Sequence, residues 1–189
     1  MPRIVDSKIA YKGYATVTVL TLADAAGGRS TREVVDFGRS ACVMPYDPDR
    51  KVAMLVRLPR APLILEGVRE YLLEAPAGMI DPGEGPETTI RREAMEEVGL
   101  ELRELELVSA CWPSPGVLAE RTHLFLAVYG PADRTGPGGG VPAEHEGIHL
   151  EETPLSELWR VATAGGLHDL KTLTLTLALH ARRPELFAG

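Results

Sequence analysis

The sequence predicts an α/β (α+β) domain built in layers. Three observations predict it: short runs rich in β-branched residues joined by hairpin-length turns, one helix with clear signals at both ends, and two more helical stretches near the C-terminus. Residues 14–22, Tyr-Ala-Thr-Val-Thr-Val-Leu-Thr-Leu, read as a strand. Ala26-Gly27-Gly28-Arg29 is a turn, after which residues 32–37 are expected to pair back as a hairpin. Residues 40–44 and 52–58 read as two further strands, joined by the turn Tyr46-Asp47-Pro48-Asp49-Arg50. Residues 69–74 read as another.

The helix with the clearest signals spans residues 86–98. Pro86 suits its first position, Glu87 its positive end, and Gly99 the left-handed residue beyond its last turn. Ile90, Ala94 and Val98, four apart, form its apolar stripe. Residues 105–111 and 122–129 read as strands, the second apolar enough to be central. The Gly/Pro-rich stretch 131–140 is expected to be a loop with no structure of its own, and 148–151 a short strand. Helices follow at 154–163, with Thr153 as the expected cap, and at about 169–181. Residues 1–40 are expected to form a separate β-rich segment, leaving 41–189 as the main domain.

The formal net charge of −7 is unevenly spread. Residues 81–106 hold nine acids against three bases, and residues 144–152 hold four acids and no Lys or Arg. Such concentration argues against binding duplex DNA, which needs a basic face to displace counterions. Two readings remain, a solvated helix face or a site for divalent cations. Cys42 and Cys111 sit in apolar surroundings and read as buried thiols of a reducing compartment, not as a disulfide framework. Met1-Pro2-Arg3-Ile4-Val5-Asp6 lacks the apolar run of a signal peptide. The longest uncharged run, 107–119, contains two prolines and is too short to span a bilayer. A soluble, cytoplasmic protein is expected.

Glu93, Glu96 and Glu97 fall on one helical face about 100° wide, with Arg92 placed to relieve Glu96 at i,i+4. Before this helix, Ala77-Gly78-Met79-Ile80-Asp81-Pro82-Gly83-Glu84-Gly85 forms a glycine-rich lead-in able to bring backbone carbonyls near the same cation. Gly78, Glu84, Arg92-Glu93, Glu96-Glu97 and Gly99-Leu100 stand at the spacing G-x5-E-x7-R-E-U-x-E-E-x-G-U, which resembles the Nudix box. Every fixed position matches, and Ala94 fills the first U position, where a bulkier aliphatic is common.

The resemblance extends along most of the chain. Glu74-Ala75-Pro76-Ala77-Gly78 and Ser114-Pro115-Gly116 with Glu120 resemble the ADP-ribose pyrophosphatase branch. Pro137-Gly138-Gly139-Gly140-Val141 and Glu144-His145-Glu146-Gly147-Ile148 resemble the acidic loop of the related GDP-mannose hydrolases, with His145 and Gly147 where acids are often seen. Residues 166–172 resemble the C-terminal helix start of both. The resemblance implies a Nudix α/β/α sandwich with a mixed central sheet, preceded by a β-rich N-terminal part that commonly helps form a homodimer. It implies a hydrolase cleaving the diphosphate of a nucleoside diphosphate sugar, with ADP-ribose the first substrate to test and GDP-mannose the second. The alternative is a Nudix-like regulatory module that binds ligand without catalysis; such a protein is expected to have lost box glutamates, and this chain keeps all of them.

By the same resemblance, Glu93 and Glu97 should ligate Mg²⁺ or Mn²⁺, with Glu96 close by and the Ala77 carbonyl completing the set. Glu84 and Arg92 should hold the loop against the helix by a salt bridge. The general base should come from the second acidic stretch, as Glu146 with Glu144 as the alternative. Arg57 and Arg60 match an R-x-x-R spacing used near the substrate, where a guanidinium fork suits phosphate; Leu58-Pro59 replaces the usual Gln-aromatic pair between them. Glu74 and Glu120 are candidate contacts to ribose hydroxyls or metal, and His123 reads as structural. Glu101, Glu104 and Glu106 read as a solvated edge.

Overall fold

The fold is described from a computed structural model, which covers residues 1–141, 143 and 147–188. Strands β1 (Arg3–Lys12), β2 (Thr16–Ala23) and β3 (Arg29–Asp36) form an antiparallel sheet in that order. The following strands build a second, mixed sheet of seven: β4 (Arg39–Asp47), β5 (Val52–Leu58), β6 (Leu72–Glu74), β7 (Ala77–Met79), β8 (Glu106–Cys111), β9 (Arg121–Val128) and β10 (His149–Pro154). Its main path runs β10-β5-β4-β9-β8, with β6 beside β5 and β7 beside β4. Among the described strand pairings of this sheet, only β4–β9 is parallel. Helix α1 (Ala61–Leu65) follows β5, α2 (Pro86–Val98) follows β7, and α3 (Leu155–Thr163) and α4 (Leu170–Arg182) close the chain.

Alternation along β4 sorts the core into two layers. Ala41 and Val43 point to one side, where they meet Ile90, Ala94 and Val98 of α2 together with Met54 and Val56. Cys42, Met44 and Tyr46 point to the other, against Leu158 of α3 and Leu175 and Leu179 of α4. The α2 stripe read from sequence is fully buried, and each large aliphatic so placed contributes about 1.5–3 kcal/mol relative to exposure. This is the α/β/α sandwich that the sequence predicts.

Several elements differ from the sequence reading. Strand β1 and helix α1 were not expected, and the strand read at 69–74 is confined to Leu72–Glu74. Thr153 is not a helix cap. It lies in β10 opposite Ala53, its hydroxyl buried without a partner among the described residues, and the N-cap position of α3 is Pro154. Glu106 is not part of a solvated edge, because Arg182 at 2.6 Å and Arg183 at 2.5 Å bind its two oxygens and tie the end of α4 to β8.

The 131–140 loop also does more than connect. Its Thr135 and Gly136 N–H groups donate to the Gly99 carbonyl, and those of Gly139 and Gly140 donate to the carbonyls of Glu97 and Glu96. The Glu96 and Glu97 carbonyls belong to the last turn of α2 and the Gly99 carbonyl to the residue just past it, where no intrahelical donor remains. Gly138 at φ +66° permits this approach: a Cβ there would sit 2.7 Å from the Glu97 carbonyl oxygen. The loop thus fixes the end of the helix that carries the acidic face.

Candidate active site

The site begins where β7 runs into α2. Pairing of Ala77 with Cys42 and of Gly78 with Ala41 places this strap beside the sheet, and the turn at 81–85 returns the chain into the helix. Gly85 is the N-cap, Pro86 the first helical residue, and Gly99 adopts φ 70° beyond the C-terminus. With both ends fixed, Glu93 and Glu97 face the strap. Glu97 is buried, and one of its carboxylate oxygens accepts from the Ala77 N–H at 3.1 Å. Gly78 lies against Glu93 so closely that no side chain fits between them.

Arg92 organises the remaining acids. Its Nη1 donates to Glu93 at 2.9 Å and Glu96 at 3.1 Å, while Nη2 reaches Glu84 at 3.3 Å. Glu84 also accepts from the Thr89 hydroxyl at 2.8 Å, and together Thr89 and Arg92 hold its carboxyl below the ordinary carboxylate range. The bridge from Arg92 to Glu84 is therefore present, and Arg92 is also the counter-charge for the helix face.

This face borders a cleft of about 630 Å³ whose walls include Gly78, Glu93, Arg60, Glu120, Lys171 and Tyr14. Arg60 grips Glu74 through two bonds, Nε at 2.6 Å and Nη2 at 3.0 Å. Glu74 is buried behind Arg60 and is held by two cations, Arg60 and Lys171, so it braces the wall and is not itself among the cleft-lining residues. Glu120 lines the cleft and accepts from the Ser40 hydroxyl at 2.6 Å, in a chain that continues to Thr122. His123 approaches the Ser40 carbonyl at 3.4 Å and does not line the cleft.

Arg57 stands apart. It pairs with Glu151 and lines a separate hollow of about 180 Å³ under α3 with Tyr71 and His168. Glu146 and Glu144, expected to supply the base, lie outside the described residues. Tyr14, Ser40 and Lys171 line the cleft and were not singled out from sequence. Tyr14 comes from the segment between β1 and β2, and Lys171 from the first turn of α4. Burial alone would favour the neutral amine of Lys171, but Asp169 and Glu74 outweigh it and raise its pKa above the ordinary lysine value.

The donor chemistry suits a hard divalent cation. Glu93, Glu96, Glu97 and the Ala77 carbonyl offer only oxygen, and the missing Cβ at Gly78 leaves room for the Glu93 carboxylate beside the strap. Among the described residues, no group of three acidic, His or Cys side chains is gathered as a ready ligand cage, and Arg92 supplies the positive charge between Glu93 and Glu96.

Residues 36–173 match the NUDIX domain. The chain belongs to the Nudix hydrolase family. Members of this family generally depend on a divalent metal. The Nudix chain described here is 39% identical over 164 residues to the GDP-mannose pyrophosphatase of Cronobacter sakazakii (strain ATCC BAA-894), covering 86% of this chain and 84% of the relative. It is 37% identical over 153 residues to the GDP-mannose pyrophosphatase of Salmonella arizonae (strain ATCC BAA-731 / CDC346-86 / RSK2980), covering 80% and 78%. A crystal structure of an ADP compounds hydrolase shares the fold with a TM-score of 0.77 and 18% identity, over 97% of this chain and 95% of that one. Among the described residues, no helix is long and apolar enough to cross a membrane.

Proposed function

We propose that this Nudix hydrolase cleaves the diphosphate of a nucleoside diphosphate sugar to a nucleoside monophosphate and a sugar phosphate, using Mg²⁺. One observation carries the reading: Glu93 of the acidic helix face and three cations, Arg60, Arg92 and Lys171, line the same cleft. Glu93, Glu96, Glu97 and the Ala77 carbonyl would hold the metal, which when bound polarises the phosphoryl oxygens and orients water. A diphosphate brings at least two negative charges, so the cleft must offer cations as well as carboxylates. Arg60, already clamped by Glu74, presents a preset guanidinium to the phosphate. We assign proton removal from the attacking water to Glu146 from its place in the sequence, with Glu144 as the alternative.

GDP-mannose is favoured by the names of the sequence relatives, and ADP-ribose is the other substrate to test. We also propose a cytoplasmic homodimer joined through the N-terminal sheet. Strand β1 is exposed along its whole length, with Ile4, Val5, Ile9 and Tyr11 open to solvent. A long strand with bare apolar side chains and one free edge is a surface that calls for a partner. Light scattering should give twice the mass of one chain, and removal of residues 1–13 should give a monomer.

The substrate assignment is tested by incubating the enzyme with nucleotide sugars, dinucleotides and triphosphates plus Mg²⁺ and identifying products by chromatography. GDP-mannose or ADP-ribose should yield the nucleoside monophosphate. Absence of product from every compound would favour a binding module.

A further inference from the structure

Asp169 makes three bonds with one carboxylate. Its Oδ1 accepts from Lys171 Nζ at 2.6 Å, and its Oδ2 accepts from the Thr172 N–H at 2.8 Å and the Thr172 hydroxyl at 2.7 Å. The Thr172 oxygen in turn accepts from the Ala75 N–H at 2.7 Å. One buried acid therefore caps α4, fastens Lys171 and, through Thr172, anchors the segment between Glu74 and Ala77. Lys171 has a second tether in Glu74 at 3.2 Å, and Glu74 also holds Arg60. The arrangement pairs two cations that line the cleft with two acids buried behind them. Such a balanced set tolerates burial, whereas either cation or acid alone would not.

We infer that Asp169 is a positioning residue for substrate binding, one that holds the Lys171 ammonium at the cleft for a phosphate oxygen of a nucleoside diphosphate. The inference rests on the reading of the cleft as a diphosphate site. A lysine stem has several rotatable bonds, and meeting an anion costs the freedom of all of them unless that freedom is already lost. Asp169 and Glu74 remove it in advance. Coulomb attraction by itself makes the opposite demand: deleting an anion behind the site should draw a phosphate in more strongly. The sign of the effect therefore separates positioning from bulk charge.

The decisive variant is Asp169→Asn, because asparagine caps a helix as well as aspartate does while lacking the charge that fastens Lys171. GDP, titrated by calorimetry in EDTA, reports the cleft without turnover. The expected result is a five- to tenfold weaker Kd for D169N, a similar loss for Lys171→Met, and no further loss in the double variant. The Tm of D169N should stay within a few degrees of wild type, while Asp169→Ala should lower it more by losing the cap. Tighter or unchanged GDP binding in D169N, multiplying losses in the double variant, or no GDP binding by the wild type would each overturn the inference. If GDP binds as expected but no nucleotide sugar is hydrolysed, the proposed function falls and the positioning role stands.

Discussion

Gly78 and Glu93 compete for one space: a Cβ on Gly78 would lie 1.9 Å from Glu93 Oε1 and 2.6 Å from its Cγ. The backbone at Gly78 is not in the left-handed region, so alanine there strains no dihedral. Its whole effect falls on the carboxylate. Gly78→Ala should leave the protein folded by circular dichroism and lower kcat about 100-fold, the scale on which a displacement of about 1 Å acts. Unchanged kcat would separate Glu93 from the chemistry.

Arg92 is the counter-charge to Glu84, Glu93 and Glu96. Arg92→Gln should destabilise the protein in EDTA by about 1–2 kcal/mol, a fall in Tm of roughly 2–8 °C. Mg²⁺ can supply the missing positive charge, so it should raise the Tm of R92Q more than that of wild type. Calorimetric scans with EDTA and with Mg²⁺ make the comparison. Equal shifts in both proteins would mean that the metal does not meet this face.

Acid should weaken the fold partly through Glu106. Hydrogen bonds from Arg183 and Arg182 outweigh desolvation and hold its carboxyl below the ordinary value. A depressed folded pKa contributes stability above the unfolded value near 4.5, and that stability is lost as pH falls through it toward the folded pKa. Urea melts from pH 7 to pH 3 should therefore show Glu106→Gln less stable than wild type at pH 7, with the gap closing below about pH 4. A constant gap would mean that the pair contributes only packing.

The contrast between Arg57 and Arg60 shows what spacing alone conveys. The two arginines sit three apart, but only Arg57 lies in β5, whereas Arg60 is the residue that leads into α1. Arg57 accordingly faces Glu151 under α3, while Arg60, beyond the strand end, reaches Glu74 at the cleft. The helix of the Nudix box was legible because Pro86, Gly99 and the Ile90-Ala94-Val98 stripe agree with one another and with the acid spacing. Strand β1 was not, because neither of its faces is buried and its alternation is broken, with Ile4 beside Val5 and Ser7 between Val5 and Ile9. Thr153 misled because a threonine before an apolar helix fits a cap as well as a strand. Lys171 was unreadable as a cleft residue, since only the packing of α4 against β6 brings it beside Glu74.

The central claim, water attack on phosphorus at a metal held by α2, is tested most directly by hydrolysing GDP-mannose in ¹⁸O-enriched water with Mg²⁺ and weighing the products of wild type and Glu97→Gln. The expected products are GMP and mannose 1-phosphate, one of them carrying a single ¹⁸O on phosphorus, with a loss of at least about 100-fold in rate for E97Q. GDP plus free mannose, or wild-type turnover by E97Q at saturating Mg²⁺, would contradict that claim.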